Sequence, residues 1–398
     1  MPSRIPPLAV TAFTVTCAAA RGRDALARAL ATRASGLRAN DFNELPCWIG
    51  RVAGLEDAAL PLQWRHWESR NHRLAWLGLG QDGFVERARA AIERYGNPRV
   101  ALILGTSTSS IGETETAYRE LDREGHLTEV QRASRVHEPH SLGAFVQHAL
   151  GLSGPCLTIA TACSSSAKVF ASAERLLRAG LADAAIVGGV DTLCGSVLYG
   201  FNALELVSRE PCRPFDVARS GLSLGEAAGF ALLERVGVDP RAPRLIGYGE
   251  SADAHHMSAP HPQGLGAQIA LDHALDRAGI APHEVDYVNL HGTASRQNDE
   301  VEAALIARTF PATTLASSSK GWTGHALGAA GILEAAIALL AIERGLAPGT
   351  LNTHTLDAAC GPQIQIENRE RGIRVALSNS FGFGGNNCCL AFAAGAAA

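Results

Sequence analysis

The sequence contains no uninterrupted apolar stretch of about 20 residues, the length that a helix needs to cross a lipid bilayer. Its 35 lysine and arginine residues form no basic block, and the formal net charge is −4. These two absences predict no membrane span and no nucleic-acid partner, since non-specific nucleic-acid binding needs a concentrated positive surface. Charged residues make up only 19% and hydrophobic residues 46% of the 398 residues, which excludes a disordered chain.

Paired cysteine motifs are also absent. The nine cysteines stand at positions 17, 47, 156, 163, 194, 212, 360, 388 and 389. They form no CxxC pair and accompany no His-rich metal spacing, so we predict no metal site and free thiols in a cytoplasmic protein. Most lie in apolar runs where cysteine acts as a small buried hydrophobic residue. Cys163 is the exception.

The N-terminus begins with a basic residue, an apolar run and small residues, which is also the order of a secretory leader. Threonines interrupt the run in LAVTAFTV, residues 8–15, and give it the alternation of a strand. An amphipathic pattern, DALARALATRASG, follows and ends at a glycine. We therefore predict a strand and a helix of the fold here.

Short β-rich runs alternate with Ala- and Leu-rich helical runs along the chain. The predicted strands span residues 8–15, 100–107, 183–191, 229–236, 244–250, 285–292, 313–319, 373–380 and 388–394. The predicted helices span residues 85–96, 141–151, 166–180, 266–279 and 328–345. This alternation predicts an α/β fold with largely parallel or mixed sheets.

Residues 158–180 and 314–345 share one order of elements: strand, small polar turn, long helix and glycine stop. With the proline-rich PRAPRL ending at residue 245, this similarity predicts two related halves. The N-terminal half, residues 1–245, would carry the nucleophile, and the C-terminal half, residues 246–398, would carry the histidines and a gating loop. Convergent strand–helix architecture is an alternative that the pattern leaves open.

Cys163 lies in TIATACSSSA, residues 158–167, where a predicted strand meets a predicted helix. Unpaired amides and the positive end of the helix dipole stabilise a thiolate. We therefore expect a depressed pKa and a nucleophilic thiol. A structural cysteine buried in front of a helix is the alternative.

Three further stretches place polar or aromatic residues at element ends. In VNLHGTASRQNDEVE, residues 288–302, a strand delivers His291 to the end where open α/β sheets place ligands. In SSSKGWTGHALGAAG, residues 317–331, Lys320 and His325 lie in a loop of small residues. NSFGFGGNN, residues 379–387, is typical of a turn, a gate or an oxyanion donor. Each residue could be merely structural, but convergence on Cys163 is sterically reasonable.

Together, TACSSS, HGTAS followed by Asp299, KGWTGHALGAAG ending in Glu334, and SNSFGFGGNN resemble the β-ketoacyl-acyl-carrier-protein synthases in order and spacing. These are the elongating condensing enzymes of the thiolase superfamily. RPFDVARSGLSLGEAAG and SADAHHMSAPHPQG are similar to the same family, and the resemblance covers essentially the whole chain. It implies a thiolase-like, five-layered αβαβα fold built from two similar halves with mixed sheets.

The resemblance also implies residue roles in a decarboxylative condensation. Cys163 would hold the acyl group as a thioester, and its own amide and that of Phe383 would form the oxyanion hole. His291 and His325 would bind the malonyl thioester carbonyl and stabilise the enolate. Lys320 would orient the histidines and tune their charge, with Glu334 or Glu302 beside it.

Substrate contacts follow from the same resemblance. Thr293 and Ser295 would bind the phosphopantetheine arm of a carrier protein, so we expect no cofactor of the enzyme itself. Thr108, Phe201 and Phe381 are the expected lining of the substrate pocket. The sequence departs from the family where Ser295 replaces threonine, where Asn386 replaces the loop threonine, and at GTSTSS, residues 105–110. These features resemble synthases of aryl-polyene-type pathways.

The implied partners are an acidic acyl carrier protein and a second chain, either a copy of this one or a ketosynthase-like subunit. Candidate basic contacts are Arg65, Arg70 and Arg73, with Arg132 and Arg135 behind them. An exposed solvated helix face is the alternative for these arginines.

Three other functions compete with this one. A catalytically silent, chain-length-setting subunit would not need the complete set of Cys163, His291 and His325. A degradative thiolase would need a second catalytic cysteine in a Cys-x-Gly turn, whereas Cys388 and Cys389 lie in a strand-like CCLAFAA. A Cys/His hydrolase would show a local signature that the chain lacks.

Overall fold

Strands from both ends of the chain form the framework of the structure, a computed structural model that describes residues 4–396. The strands are β1 (Leu8–Cys17), β2 (Ala20–Arg21), β3 (Arg38–Ala39), β4 (Trp48–Gly50), β5 (Val100–Gly105), β6 (Cys156–Ile159), β7 (Ala184–Asp191), β8 (Leu224–Gly225), β9 (Ala227–Arg235), β10 (Arg244–Ala252), β11 (Tyr287–Asn289), β12 (Leu315–Ser317), β13 (Leu346–Ala347), β14 (Arg369–Glu370), β15 (Val375–Gly382) and β16 (Asn386–Ala393). The helices are α1 (Arg23–Ala31), α2 (Arg70–Leu79), α3 (Phe84–Tyr95), α4 (Ile111–Arg119), α5 (Glu129–Ala133), α6 (Ser141–Leu150), α7 (Ser165–Arg178), α8 (Gly195–Ala203), α9 (Leu265–Ala278), α10 (Arg296–Thr309), α11 (Lys320–Thr323) and α12 (Ala330–Arg344).

The main sheet runs through both halves of the chain in the order β12-β11-β15-β16-β10-β1-β9-β7-β5-β6. In the N-terminal half, β1 pairs antiparallel with β9, β9 pairs antiparallel with β7, and β5 lies parallel between β7 and β6. In the C-terminal half, β10 pairs antiparallel with β16, β16 pairs antiparallel with β15, and β11 lies parallel between β15 and β12. The halves join where β1 pairs antiparallel with β10, with Leu8 opposite Leu245. The order of elements shared by residues 158–180 and 314–345 therefore reflects a strand arrangement that both halves repeat. The domain boundary at residue 245 stays a prediction.

Helices fill the space between and outside the two halves of the sheet. Helices α7 and α12 lie in the centre and share one apolar core with strands of both halves. Helices α2, α3 and α6 cover the outer face of the N-terminal strands, and α9 and α10 cover the C-terminal strands. The five-layered α/β fold with mixed sheets that the resemblance implies is confirmed.

The two central helices approach each other unusually closely at their N-terminal ends. A side chain at Gly331 would place its Cβ 2.4 Å from the backbone nitrogen of Ala167, so only glycine fits there. The Ser166 hydroxyl accepts a hydrogen bond from the Ile332 amide at 2.9 Å. This contact brings the segment before α7, with Cys163, toward the segment before α12, with His325.

The N-terminal prediction is confirmed, since residues 8–17 form β1 and α1 follows it. Helix α10, which begins directly after the HGTAS stretch, was not among the predicted helices because its apolar positions are few. Within residues 4–396, none of the helices has both the length and the apolarity that crossing a bilayer requires.

Candidate active site

Cys163 stands at a tight turn between β6 and α7 and is 5% exposed. Ala162 before it has φ of 51°, a left-handed conformation that L-residues rarely adopt. The Ser165 hydroxyl stabilises this turn, because it accepts a hydrogen bond from the Thr161 amide at 2.9 Å and donates one to the Ala162 carbonyl at 2.5 Å. The serines after the cysteine therefore hold the turn that presents the thiol.

His325 contacts the thiol directly, with its Nε2 2.9 Å from Cys163 Sγ. Its backbone is fixed on both sides, since the His325 amide donates to the Ser223 carbonyl at 2.7 Å and its carbonyl accepts from the Gly225 amide at 2.9 Å. The His291 ring lies next to it, with ring centroids 5.3 Å apart and planes at 86°. The structure thus brings the predicted cysteine and both predicted histidines together.

Glu302 of α10 holds the backbone at His291. Its two carboxylate oxygens accept hydrogen bonds from the amides of His291 and Gly292 at 2.9 and 2.8 Å, and Asn379 donates to it at 3.1 Å. Burial raises the pKa of Glu302 to about 7, and these donors oppose the rise. Glu302 therefore positions the histidine loop and does not contact Lys320.

Lys320 is paired with Glu334, which decides the alternative left open by the sequence. The ammonium group donates hydrogen bonds to the Glu334 carboxylate and to the His291 carbonyl. Both side chains are 2% exposed. Burial raises the pKa of Glu334 to about 7, and the neighbouring ammonium opposes that rise. A fixed positive charge therefore lies behind the two imidazoles.

Both histidines are neutral at physiological pH. Burial lowers the pKa of His291 and that of His325 well below 6.5, and the charge of Lys320 lowers them further. A neutral imidazole can donate an N–H to a carbonyl oxygen without giving up its proton. The pair is therefore suited to stabilising an oxyanion.

The pKa of the Cys163 thiol is shifted in the direction opposite to the one that the helix start predicts. Burial raises it to about 12, while Lys320 and the facing amide of Phe383 lower it. Cys163 lies two residues before α7, and loss of solvent there outweighs the local positive potential. The expectation of a depressed pKa is wrong, and the resting group is a thiol.

The loop between β15 and β16 covers the cysteine. Phe383, Gly384 and Gly385 form a short 3-10 turn in which Gly384 has φ of 73°. The Phe383 ring stacks on Phe201 with centroids 5.4 Å apart and planes at 20°. The Phe383 amide in this turn faces the Cys163 sulfur.

A cavity of about 280 Å³ opens over these groups. Its lining includes eight predicted site residues, Cys163, Phe201, His291, Thr293, Ser295, His325, Phe381 and Phe383. The hydroxyls of Thr293 and Ser295 lie 2.9 Å apart. Lys320 lies behind the cavity wall and touches the site through His291.

Thr108 is not part of this lining, and its proposed contact with substrate stays a prediction. Its hydroxyl donates to Asp191 at 2.7 Å. Asp191 also accepts hydrogen bonds from Thr106, Ser107 and the Gly328 amide. The first three hydroxyls of GTSTSS therefore bind a buried acid at the end of β7, which sequence reasoning did not single out.

Arg219 is a second residue that the sequence reasoning missed. It is buried and bonds to Asp357 at 2.7 Å and Glu300 at 3.3 Å. Its neighbour Asp299 accepts from the amides of Phe215 and Ala294 at 2.7 and 3.2 Å. The RPFDVARSG stretch therefore anchors the loop that carries Thr293. The available sequence signal was an arginine within a stretch that resembles the family.

The cysteine sulfur and one nitrogen from each histidine lie within 4.8 Å of one another. These atom types also bind Zn²⁺. The ammonium of Lys320 behind His291 disfavours a divalent cation, so the arrangement suits a thioester carbonyl better than a metal ion.

Comparison with protein families gives two matches that together span most of the chain. Residues 78–237 match the family described as beta-ketoacyl synthase, N-terminal domain, and residues 244–354 match beta-ketoacyl synthase, C-terminal domain.

Curated relatives agree with these matches. Nodulation protein E of Rhizobium meliloti is 36% identical over 304 residues, which cover 74% of this chain and 75% of that protein. The 3-oxoacyl-acyl-carrier-protein synthase 2 of Coxiella burnetii is 36% identical over 336 residues, which cover 77% and 80%. With the mitochondrial 3-oxoacyl-acyl-carrier-protein synthase of Arabidopsis thaliana, 38% identical over 263 residues, the match covers 61% of this chain and 57% of that protein.

Solved structures extend the similarity over almost the full length. A ketosynthase from Xenorhabdus doucetiae, solved in complex with its chain length factor, has a TM-score of 0.87, 35% identity and 98% coverage of both chains. A beta-ketoacyl synthase from Burkholderia phymatum has a TM-score of 0.86 and 26% identity, covering 98% of this chain and 100% of that one.

We predict that alkylation of Cys163 by iodoacetamide accelerates about tenfold for each pH unit between about pH 7 and 9. Burial raises the thiol pKa to about 12, so the thiolate fraction grows in proportion to hydroxide concentration throughout this range. Peptide mass spectrometry of the native protein measures the rate. A rate that levels off near neutral pH would show instead that the pKa is depressed.

Proposed function

Because the chain belongs to the β-ketoacyl synthase family, whose members are acyl-transferring condensing enzymes, we propose that Cys163 carries the acyl group in a decarboxylative condensation. The observation that supports this role is the 2.9 Å contact between Cys163 Sγ and His325 Nε2 in a cavity that also holds a second neutral histidine. The acyl group would join a malonyl unit on a carrier protein and give a β-ketoacyl product.

In the first step, the Cys163 sulfur attacks the thioester carbonyl of an acyl carrier protein. The thiol proton moves to His325 Nε2, and the oxyanion forms against the amides of Cys163 and Phe383. Collapse of this intermediate breaks the bond to the carrier sulfur, which leaves with that proton. The thiol pKa of about 12 is the reason that a base in contact with Sγ is needed.

In the second step, malonyl-carrier protein occupies the same cavity, with its arm against Thr293 and Ser295. Proton exchange between the two ring nitrogens of His325 leaves this residue with an Nε2–H in this step. The N–H groups of His291 and His325 then donate to the thioester carbonyl and stabilise the enolate that forms when carbon dioxide leaves. The enolate carbon then attacks the Cys163 thioester. The carbon–sulfur bond breaks and the Cys163 sulfur leaves as a thiolate, which takes up one proton from solvent as the β-ketoacyl-carrier protein departs. No cofactor of the enzyme takes part, because the acyl groups travel on the phosphopantetheine of the carrier.

The test is acyl transfer onto the purified chain from acyl carrier proteins of different chain length, followed by intact mass. We expect an adduct on the unchanged chain and none on Cys163→Ala, with circular dichroism unaltered. Cys17→Ala, at an equally buried cysteine in β1, is the matched control and should load normally. Loading of Cys163→Ala would exclude this nucleophile, and no loading of the unchanged chain would favour the silent-subunit function.

We also propose where the acidic carrier protein binds. Arg65, Arg132 and Arg135 are exposed, and the amide of Arg135 donates to the His66 carbonyl at 3.4 Å, so their segments adjoin. Leu62 and Val130, 88% and 81% exposed, add apolar contacts beside these charges. Two arginines named with them are engaged elsewhere and do not belong to this surface: Arg70 pairs with buried Glu226, and Arg73 pairs with Glu68.

Charge reversal tests this surface. We expect Arg65→Glu combined with Arg135→Glu to raise KM for acyl-carrier protein about tenfold at low salt, with little change in kcat, because steering charges act on encounter. Arg89→Glu, at an exposed arginine of α3 outside the two segments that form this surface, is the control. An unchanged KM in the double variant would place the carrier elsewhere.

A second chain is proposed to bind at the edge of the sheet formed by β6. This strand ends the strand order and is half-exposed, with Leu157 42% exposed. Tyr118 of α4 and Tyr199 of α8, two helices that contact each other, are also exposed, at 69% and 50%. The Xenorhabdus doucetiae ketosynthase pairs with a chain length factor. A chain length factor or a second copy of this chain would suit this surface.

We expect Leu157→Asp to abolish association of the purified or co-expressed chains, since it places a charge on the unpaired edge strand. Light scattering after size-exclusion chromatography measures the mass of the assembly. Leu181→Asp, at a residue 57% exposed just after α7, is the control and should not change that mass. Association that survives Leu157→Asp would assign the interface to another surface.

We further propose a cytoplasmic reaction in an aryl-polyene-like pathway. A catalytic thiol requires reducing conditions, and all nine cysteines are free. The GTSTSS stretch, whose first three hydroxyls bind Asp191, is the departure from the family that supports this pathway.

A further inference from the structure

Only two of the 35 basic side chains are lysines, Lys168 and Lys320. Lys320 lies behind the catalytic histidines. Lys168 lies in the first turns of α7, the helix that begins two residues after Cys163. An ammonium group is a compact point charge that arginine cannot replace without a change of geometry. The second lysine therefore lies on the helix that follows the nucleophile.

Lys168 contacts the loop that covers the cysteine. Its Nζ donates a hydrogen bond to Asn386 Oδ1 at 3.2 Å, and both side chains are half-buried. The nitrogen of the Asn386 side-chain amide, Nδ2, donates a hydrogen bond to the carbonyl oxygen of Phe383 at 3.5 Å. A chain of two hydrogen bonds thus connects α7 to the residue whose amide faces Cys163.

The two amides proposed for the oxyanion hole belong to different segments. The Cys163 amide precedes α7, whereas the Phe383 amide lies in a turn where Gly384 and Gly385 have φ of 73° and 72°. On its far side, this turn is bound to the loop after β10, where the Gly384 amide donates to the Met257 carbonyl at 2.7 Å. Lys168 and Asn386 supply the polar connection on the near side.

We propose that Lys168 and Asn386 form a latch that holds the Phe383 amide at a fixed distance from Cys163 during acyl transfer. Lys168 is thus a positioning residue that acts through Asn386. Asparagine carries an acceptor and a donor on one planar group, so it can accept from Lys168 and donate to Phe383 at once. Threonine, the residue usual in the family here, is shorter and has a single hydroxyl, so it would not bind both partners in the same way. The proposal rests on the roles proposed above for Cys163 and Phe383.

A double-mutant cycle tests the latch. Lys168→Met and Asn386→Leu should each slow the maximal rate of acylation of Cys163 about fivefold to tenfold, the effect of losing one ordinary hydrogen bond. The half-saturating concentration of acyl-carrier protein should not change, because neither side chain is proposed to bind the carrier. The double variant should be no slower than the slower single variant.

Arg175→Met is the matched control, because it removes a cation from the same helix that does not bind the covering loop. Arg175 pairs with Glu250 at 2.5 Å. It should leave the acylation rate unchanged. Additive losses in the double variant, or unchanged rates in both single variants, would overturn the latch. Absence of acylation in the unchanged chain would instead refute the role of Cys163, so the two failures are distinguishable.

A second measurement does not depend on catalysis. Reductive methylation with formaldehyde and a borohydride can modify only two lysines and the N-terminus, so Lys168 is easily followed by peptide mass spectrometry. We expect its modification to be several-fold faster in Asn386→Leu than in the unchanged chain, because the amine loses its acceptor. Equal rates would show that Lys168 does not make this bond.

Discussion

The buried ammonium of Lys320 is the constraint on which the rest of the active site depends. Burying an unpaired cation costs several kcal/mol, on the order of what a whole domain gains on folding. The Glu334 carboxylate from α12 and the carbonyl of His291 offset that cost. Pairing the charge therefore fixes three segments relative to one another: the start of the loop that carries His325, the end of β11 and the central helix.

The same burial sets the protonation state of each reacting group. Loss of solvent disfavours every charged form, so it lowers the pKa of both histidines and raises that of Cys163. The site therefore holds neutral donors and a neutral thiol next to one buried ion pair, Lys320 and Glu334. In such a site, new negative charge on a substrate oxygen meets oriented N–H groups, and water does not have to reorganise around it.

The duplicated architecture explains how these groups meet. The N-terminal half provides the cysteine, and the C-terminal half provides both histidines, the lysine and the Phe383 turn. Contact between the starts of α7 and α12 at Gly331 places the two contributions side by side. Lys168 and Asn386 join the halves again at the covering loop. Relative placement of the halves is thus part of the chemistry.

Sequence by itself determined the features encoded in short stretches: the strand and helix at residues 8–31, the α/β alternation, and the motifs that predict Cys163, His291, His325 and Lys320 as site residues. Tertiary structure alone decided which groups pair over long separations. It assigned Glu334 to Lys320 and Glu302 to the His291 loop, directed the Thr108 hydroxyl to Asp191, and reversed the expected pKa shift of Cys163. The physical reason is that backbone preferences act between near neighbours in sequence, whereas burial and charge pairing depend on residues that only the folded chain brings together.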